Sequence, residues 1–209
     1  MPYTLYCSTR SGSCIVEMAL CEIGAPYDFH EVNLSKNRQR EMDFTAVNPQ
    51  RKLPALTFPT GETMTESAAI VLALDRRYPE AKLMPAADSA DYLQAMRWLV
   101  FAAAEIYPIV EINDYPERFV ADPKSDPDAM RENARRLWRD RWAIVEDNIA
   151  GSPYLLPSGF CLADIYIAVV SRWAQQDDWR PTHIPKVERL TAAVAAREAC
   201  APVWARNFG

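Results

Sequence analysis

The sequence predicts an α/β domain followed by an all-α domain, with the change near residue 80. Before that point, short runs of β-branched and aromatic residues alternate with stretches whose apolar residues keep a helical spacing. After it, almost every segment has the helical period. The stretch 78–88 contains two prolines between these patterns, which is typical of a linker. We therefore predict domains at residues 1–79 and 89–209, joined by residues 80–88.

The first domain is predicted to contain four strands and three helices. Residues 3–7 form a strand, residues 11–13 a turn, and the next helix ends at Gly24, because glycine commonly follows a helix. The later elements are a strand at 27–32, a short irregular helix at 37–46, a hairpin of 55–58 and 62–65, and a helix at 68–78. This order is the layout of a thioredoxin-like domain, with a right-handed first crossover.

The second domain is predicted to be a helical bundle. Apolar residues at helical spacing mark four helices, at residues 92–110, 130–149, 162–173 and 187–194. Pro108 falls inside the first of these patterns. Because proline has no N–H and its ring displaces the preceding turn, a kink is expected there.

Charge and composition argue against several classes of function. The net charge is −5, so the chain lacks the basic field that binds nucleic acid or anionic membranes. The apolar runs are too short to cross a bilayer and the first residues do not resemble a signal peptide, which predicts a cytoplasmic protein. Five widely spaced cysteines predict reduced thiols. With two histidines and no C-x-x-C pair, no metal site is expected.

The segment NPQRKLPAL, residues 48–56, places Pro54 where a strand should begin. A proline cannot donate to the strand ladder, so this position requires a strand edge or a special geometry. If the Leu53–Pro54 bond is cis, the N–H and C=O of Leu53 turn outward and can pair with a peptide ligand as an added strand. The alternative is an ordinary proline before an edge strand.

The segment TESAAI, residues 65–70, places Glu66 and Ser67 between a strand end and a helix start. The free N–H groups and the dipole of a helix N-terminus attract a carboxylate, and the Ser67 hydroxyl can add a hydrogen bond. Glu66 can pair with an ammonium group. The two residues therefore suit an α-amino acid head group. The alternative is a serine cap beside a surface glutamate.

The segment STRSGSC, residues 8–14, forms the turn between the first strand and the first helix. A hydroxyl in this turn can donate to a thiolate. A charge-assisted hydrogen bond of about 1.5–3 kcal/mol lowers a thiol pKa by about one to two units, and the helix dipole acts in the same direction. The alternative is that these serines only cap the helix.

These three segments together resemble the cytosolic glutathione S-transferase superfamily, and most of all its bacterial members with an R-x-S-G-S first turn. The resemblance covers the whole chain, since the segment GFCLADI, residues 159–165, is similar to the family's capping segment in the helical domain. It implies the glutathione S-transferase fold, reduced glutathione as cosubstrate, and a homodimer.

Within this resemblance, the first domain holds glutathione. Leu53 is expected to pair with the cysteinyl backbone, beside a cis Pro54, and Lys52 to contact the region of the glycyl end. Glu66 and Ser67 are expected to hold the γ-glutamyl group.

The resemblance also implies roles in catalysis and folding. Ser11 is the expected donor to the thiolate, with Ser13 as second candidate and as the expected helix cap. Cys14 is expected to be a small buried helix residue, and a reactive thiol at the helix N-terminus is the alternative. Tyr107 is a candidate for the second-substrate pocket. Asp164 is expected to cap its own helix.

The expected function is conjugation of glutathione to a small electrophile, with detoxification as the expected role. Catalysis would come from stabilising the thiolate and placing it beside an apolar pocket. One alternative keeps glutathione and makes the enzyme an isomerase, dehalogenase or peroxide reductase. A second alternative is a binding or regulatory module of the same fold without catalysis.

Overall fold

The computed structural model describes residues 1–120, 126–174 and 177–209. These residues form two compact units, one of Met1–Met84 with Val194–Gly209 and the other of Pro85–Ala193. The break after Met84 lies within the predicted linker. The predicted boundary assigns the last residues to the helical domain, whereas the structure groups them with the N-terminal unit, because their helix packs on the first helix of the chain.

The first unit is built on a four-stranded sheet with the order β2-β1-β3-β4. Its strands are β1 Tyr3–Cys7, β2 Tyr27–Glu31, β3 Ala55–Thr57 and β4 Thr63–Thr65. β1 runs parallel to β2, and β3 runs antiparallel to both β1 and β4. Tyr3, Leu5 and Cys7 are buried, because side chains alternate across a strand. The predicted thioredoxin-like sheet is confirmed.

The α-helices are named here in chain order. They are α1 Ser13–Glu22, α2 Met42–Val47, α3 Ser67–Arg77, α4 Ala90–Phe101, α5 Tyr107–Asp114, α6 Pro127–Asn148, α7 Leu162–Val170, α8 Arg180–His183, α9 Pro185–Ala195 and α10 Ala201–Phe208. Residues 37–46, predicted as one irregular helix, contain a 3₁₀ turn at Arg38–Arg40 and most of α2. Within the described ranges, no helix combines the length and the apolar character needed to cross a membrane.

α10 lies beyond the four helices predicted for the second domain, and it belongs to the first unit. Its buried residues include Val203 and Asn207, and α10 packs on α1. Arg206 of α10 pairs with Glu17 of α1, with 2.5 Å between Nη2 and Oε1. The Tyr27 hydroxyl donates to the same carboxylate over 2.6 Å. These partners offset the cost of burying the Glu17 charge.

The second unit has α7 in its interior, with every residue of this helix buried. The carboxylate of Asp164, which is 0% exposed, accepts the N–H groups of Cys161 and Leu155, each over 2.7 Å. The first of these bonds satisfies a backbone donor at the helix N-terminus, and the second fixes the preceding loop. The predicted capping role of Asp164 is confirmed.

The kink predicted at Pro108 corresponds to a π-helical segment, Ala102–Ile106, between α4 and α5. The N–H of Tyr107 donates to the carbonyl of Ala102, five residues earlier. Pro108 cannot donate to the carbonyl of Ala104 because it has no N–H. The wider turn accommodates the proline without ending the helical path.

Candidate functional site

The sheet register brings the three candidate segments to one end of the sheet. Tyr6, near the end of β1, pairs with Ala55, the first residue of β3. Ala55 in turn pairs with Thr65, the last residue of β4. The turn after β1, the loop before β3 and the start of α3 therefore leave the sheet at the same end. Three segments that are distant in sequence form one candidate site.

Three serines form a hydrogen-bond network in the turn after β1. The Ser11 hydroxyl donates to the Ser8 carbonyl over 2.7 Å and lies 2.7 Å from the Ser13 hydroxyl. The Ser13 hydroxyl accepts the N–H of Ser8 over 3.2 Å and lies 3.1 Å from its carbonyl. The predicted capping role of Ser13 is wrong, because α1 begins at Ser13 and the cap position belongs to Gly12, which has no side chain. Ser13 instead closes the turn onto Ser8.

Ser11 and Ser13 differ in their access to a ligand. Ser13 is 2% exposed, whereas Ser11 is half-buried. If the Ser11 proton turns toward a ligand, the Ser8 carbonyl keeps Ser13 as a donor. Ser11 can therefore donate outward without leaving a buried acceptor unpaired, and a similar rotation of Ser13 would open the turn.

Cys14 is a buried helix residue, as expected. Its side chain is 1% exposed, and its Sγ donates to the Ser11 carbonyl over 3.0 Å. Burial raises the pKa of this thiol far above its ordinary value, and the nearby Glu17 carboxylate raises it further. A thiol that stays protonated is a poor nucleophile.

The loop before β3 contains the predicted cis bond between Leu53 and Pro54, which is confirmed. The buried Asn48 shapes this loop from within: its amide donates to the Lys52 carbonyl over 2.6 Å, and its Oδ1 accepts the Gln50 N–H over 3.0 Å. In the described part of the chain, no hydrogen bond joins the backbone of Leu53 to another residue. An unpaired backbone N–H and C=O beside a strand can accept an added peptide.

Glu66 and Ser67 lie at the start of α3. Ser67 is the first residue of this helix and is buried, and the exposed Glu66 occupies the cap position. The backbone of Glu66 has φ 65° and ψ 102°. A non-glycine residue in such a region costs about 1–3 kcal/mol, and strain of this kind is concentrated at functional sites. The backbone strain therefore favours a functional role for Glu66 over that of an ordinary surface residue.

Of the two remaining predicted residues, one lies in the loop before β3 and the other in the second unit. Lys52 is exposed and directly precedes Leu53, so it belongs to the same loop. Tyr107 belongs to the second unit, where its ring lies 4.7 Å from that of Trp173, centroid to centroid.

Asn207 contacts the serine turn and was not a candidate from the sequence. Its Oδ1 accepts the N–H of Arg10 over 2.8 Å, and its carbonyl accepts the Arg10 Nε–H over 3.2 Å. Asn207 and Val203 are the two buried residues of α10, one helical turn apart. A polar residue at an inward position of an amphipathic helix is the signal that could have identified it.

Several known proteins are similar to this chain over nearly its whole length. The model of the family described as glutathione S-transferase, N-terminal domain, matches residues 13–77. The uncharacterized GST-like protein YncG of Escherichia coli is 27% identical over 94% of each chain. A maleylacetoacetate isomerase of Pseudomonas aeruginosa is 29% identical over 94% of this chain and 92% of its own. A glutathione transferase homologue from Sulfitobacter, solved with bound glutathione, has a TM-score of 0.90 at 25% identity, covering 100% of this chain and 99% of that one.

Proposed function

We infer that this chain, which belongs to the glutathione S-transferase superfamily, binds reduced glutathione and activates its thiol for attack on a small electrophile. The observation that carries this proposal is the pairing of Tyr6 with Ala55 and of Ala55 with Thr65, which gathers the three candidate segments at one end of the sheet. Glutathione supplies the nucleophilic thiol.

The residues of the first unit fit a γ-glutamyl peptide. The backbone N–H and C=O of Leu53 would pair with the peptide backbone, beside Pro54. The N-terminus of α3 and the Ser67 hydroxyl would hold the α-carboxylate, and Glu66 would pair with the α-ammonium. Lys52 would lie near the carboxylate at the glycyl end. Each polar group of the ligand thus has a partner of opposite character.

Thiolate stabilisation is assigned to the turn after β1. The Ser11 hydroxyl would donate to the sulfur, while Ser13 keeps the turn closed on Ser8. The N-terminus of α1 adds a positive dipole to the same region. These fixed donors favour the thiolate over the thiol without the need for a metal ion.

A pH titration tests the two serines. In Ser11→Ala, we expect the pKa of the bound glutathione thiol, followed by ultraviolet absorbance, to rise by about one unit or more, because one charge-assisted hydrogen bond is lost. In Ser13→Ala the pKa should rise less. The free energy of unfolding should instead fall by about 1–2 kcal/mol, because Ser8 loses the hydroxyl that closes its turn. An unchanged pKa in Ser11→Ala would contradict the assignment and point to another donor in residues 8–14.

Cys14 distinguishes the proposed reaction from a thiol-exchange reaction. We expect Cys14→Ala to keep the parent's rate of conjugation, because its thiol is buried and remains protonated. Its free energy of unfolding should fall by about 1 kcal/mol through the lost packing. The half-buried Cys21 provides the control, as Cys21→Ala. Loss of turnover in Cys14→Ala alone would show that the enzyme uses its own thiol.

An isomerase that uses glutathione is the second candidate reaction. The similarity to a maleylacetoacetate isomerase extends over 94% of this chain, and the same thiolate site would serve an isomerisation. A panel of electrophiles and of cis-unsaturated dicarboxylates separates the two reactions. Halides and peroxides added to the same panel test for a dehalogenase or a peroxide reductase. Glutathione calorimetry identifies a binding or regulatory module that has lost the glutathione site, because such a module would give no heat of binding.

We further propose a cytoplasmic homodimer with a role in detoxification. Tyr107 would contribute to the second-substrate pocket in this proposal. Light scattering of the purified protein measures the mass of the assembly, and a Tyr107→Phe or Tyr107→Ala variant assayed with several electrophiles measures the contribution of that side chain. A monomeric mass would contradict the dimer.

A further inference from the structure

The turn that carries the serines is held by α10 as well as by its own hydrogen bonds. Asn207 is 3% exposed. Its Oδ1 accepts the backbone N–H of Arg10 over 2.8 Å, and its backbone carbonyl accepts the Arg10 Nε–H over 3.2 Å. The Nδ2 of Asn207 donates to the Val203 carbonyl over 2.8 Å. This last bond fixes the orientation of the amide, so the oxygen faces the turn.

The residue that Asn207 holds has an unfavourable backbone conformation. Arg10 has φ 59°, a left-handed conformation that a residue with a Cβ adopts only when its surroundings stabilise it. Arg10 lies directly before Ser11 and two residues after Ser8. A change in its φ would therefore move the Ser11 hydroxyl away from the Ser8 carbonyl, which it now contacts over 2.7 Å.

α10 itself is anchored to α1 independently of the turn. Arg206 pairs with Glu17, whose side chain is 3% exposed, and Tyr27 donates to the same carboxylate. Asn207 is the next residue along α10. The ion pair thus ties α10 to α1, whereas the contact with the turn is made by Asn207.

We propose that Asn207 is a positioning residue for activation of the glutathione thiol. It acts through Arg10, whose left-handed backbone it maintains, and so sets the direction in which Ser11 presents its hydroxyl. This inference rests on the proposed function, because it concerns the same thiolate.

The test compares Asn207→Ala with Arg206→Gln. Both changes remove a contact of α10 with the rest of the first unit, but only the first touches the turn. In Asn207→Ala, we expect the pKa of the bound glutathione thiol to rise by about one unit, as for loss of the Ser11 donor itself. Glutathione affinity measured well below that pKa should stay within about twofold of the parent, because the contacts of the peptide with Leu53 and Glu66 are unaffected.

Arg206→Gln should lower the midpoint of thermal unfolding without changing the thiol pKa. An equal pKa rise in both variants would overturn the proposal, since it would show that any loosening of α10 has this effect. An unchanged pKa in Asn207→Ala would overturn it as well.

Two further measurements keep the test decisive. If Asn207→Ala does not fold, Asn207→Ser takes its place: the serine hydroxyl can still donate to the Val203 carbonyl, but is too short to accept from Arg10, so the pKa should again rise. The parent protein reports on the proposed function separately. A parent that leaves the bound thiol at its solution pKa defeats the proposed function and this inference together, whereas a lowered pKa in both parent and Asn207 variants defeats the inference alone.

Discussion

Replacing Glu66 or Ser67 by alanine is expected to weaken glutathione binding by about 1–3 kcal/mol each, a change in Kd of about fivefold to 150-fold. Glu66→Ala would leave the ligand's ammonium group without its partner. Ser67→Ala would remove a hydroxyl from the helix N-terminus that is proposed to hold the carboxylate. Isothermal titration calorimetry measures both effects directly.

Glu62→Ala is the matched control for this prediction. Glu62 is an exposed glutamate of the same hairpin, on the loop end of β4 and not on its α3 end. Its replacement should leave glutathione affinity unchanged, and the far-ultraviolet circular dichroism of all three variants should match the parent. If both Glu66→Ala and Ser67→Ala bind glutathione as tightly as the parent, the head-group assignment fails.

Replacing Asp164 by alanine is expected to lower the free energy of unfolding by about 3 kcal/mol. The fully buried carboxylate accepts two backbone N–H groups, from Cys161 and Leu155. Alanine would leave both donors without a partner inside the second unit. Denaturant unfolding followed by tryptophan fluorescence measures the loss, because Trp138 and Trp142 are buried in the same unit.

Asp91→Ala is the control for burial. The Asp91 carboxylate accepts a single backbone N–H, from Ser158, in an exposed position. Its removal should cost less than about 1 kcal/mol, because water replaces the lost acceptor. Equal losses in the two variants would show that burial of Asp164 does not determine its contribution.

The strands and most helices could be predicted because their signals are local. The β-branched and aromatic residues from Tyr3 to Cys7 predict a strand, and the two-strand hairpin follows from Pro59 and Gly61. The start of α1 was less well determined. Ser13 and Gly12 are neighbours, and the identity of the cap depends on backbone angles that composition does not specify.

The contact between Arg10 and Asn207 could not be predicted, since 197 residues separate the two positions. An amphipathic pattern shows that the last helix has a buried face, but it does not show that this face packs on α1 of the first unit. The candidate residues in the three segments could be predicted, because each segment contains residue types that indicate a ligand contact by themselves. The contacts that hold these segments in place, such as that of Asn207 with Arg10, come from residues distant in sequence. They can therefore be identified only from the structure.

The grouping of Val194–Gly209 with Met1–Met84 has a consequence for biosynthesis. Glu17 is translated early, but its partner Arg206 leaves the ribosome only after all of Pro85–Ala193. Until then, the nascent first unit carries a carboxylate without its cation and lacks one of the helices that cover α1. Of the two units, the one that binds glutathione in our proposal therefore begins to emerge first and is complete last, after all of Pro85–Ala193 has been synthesised.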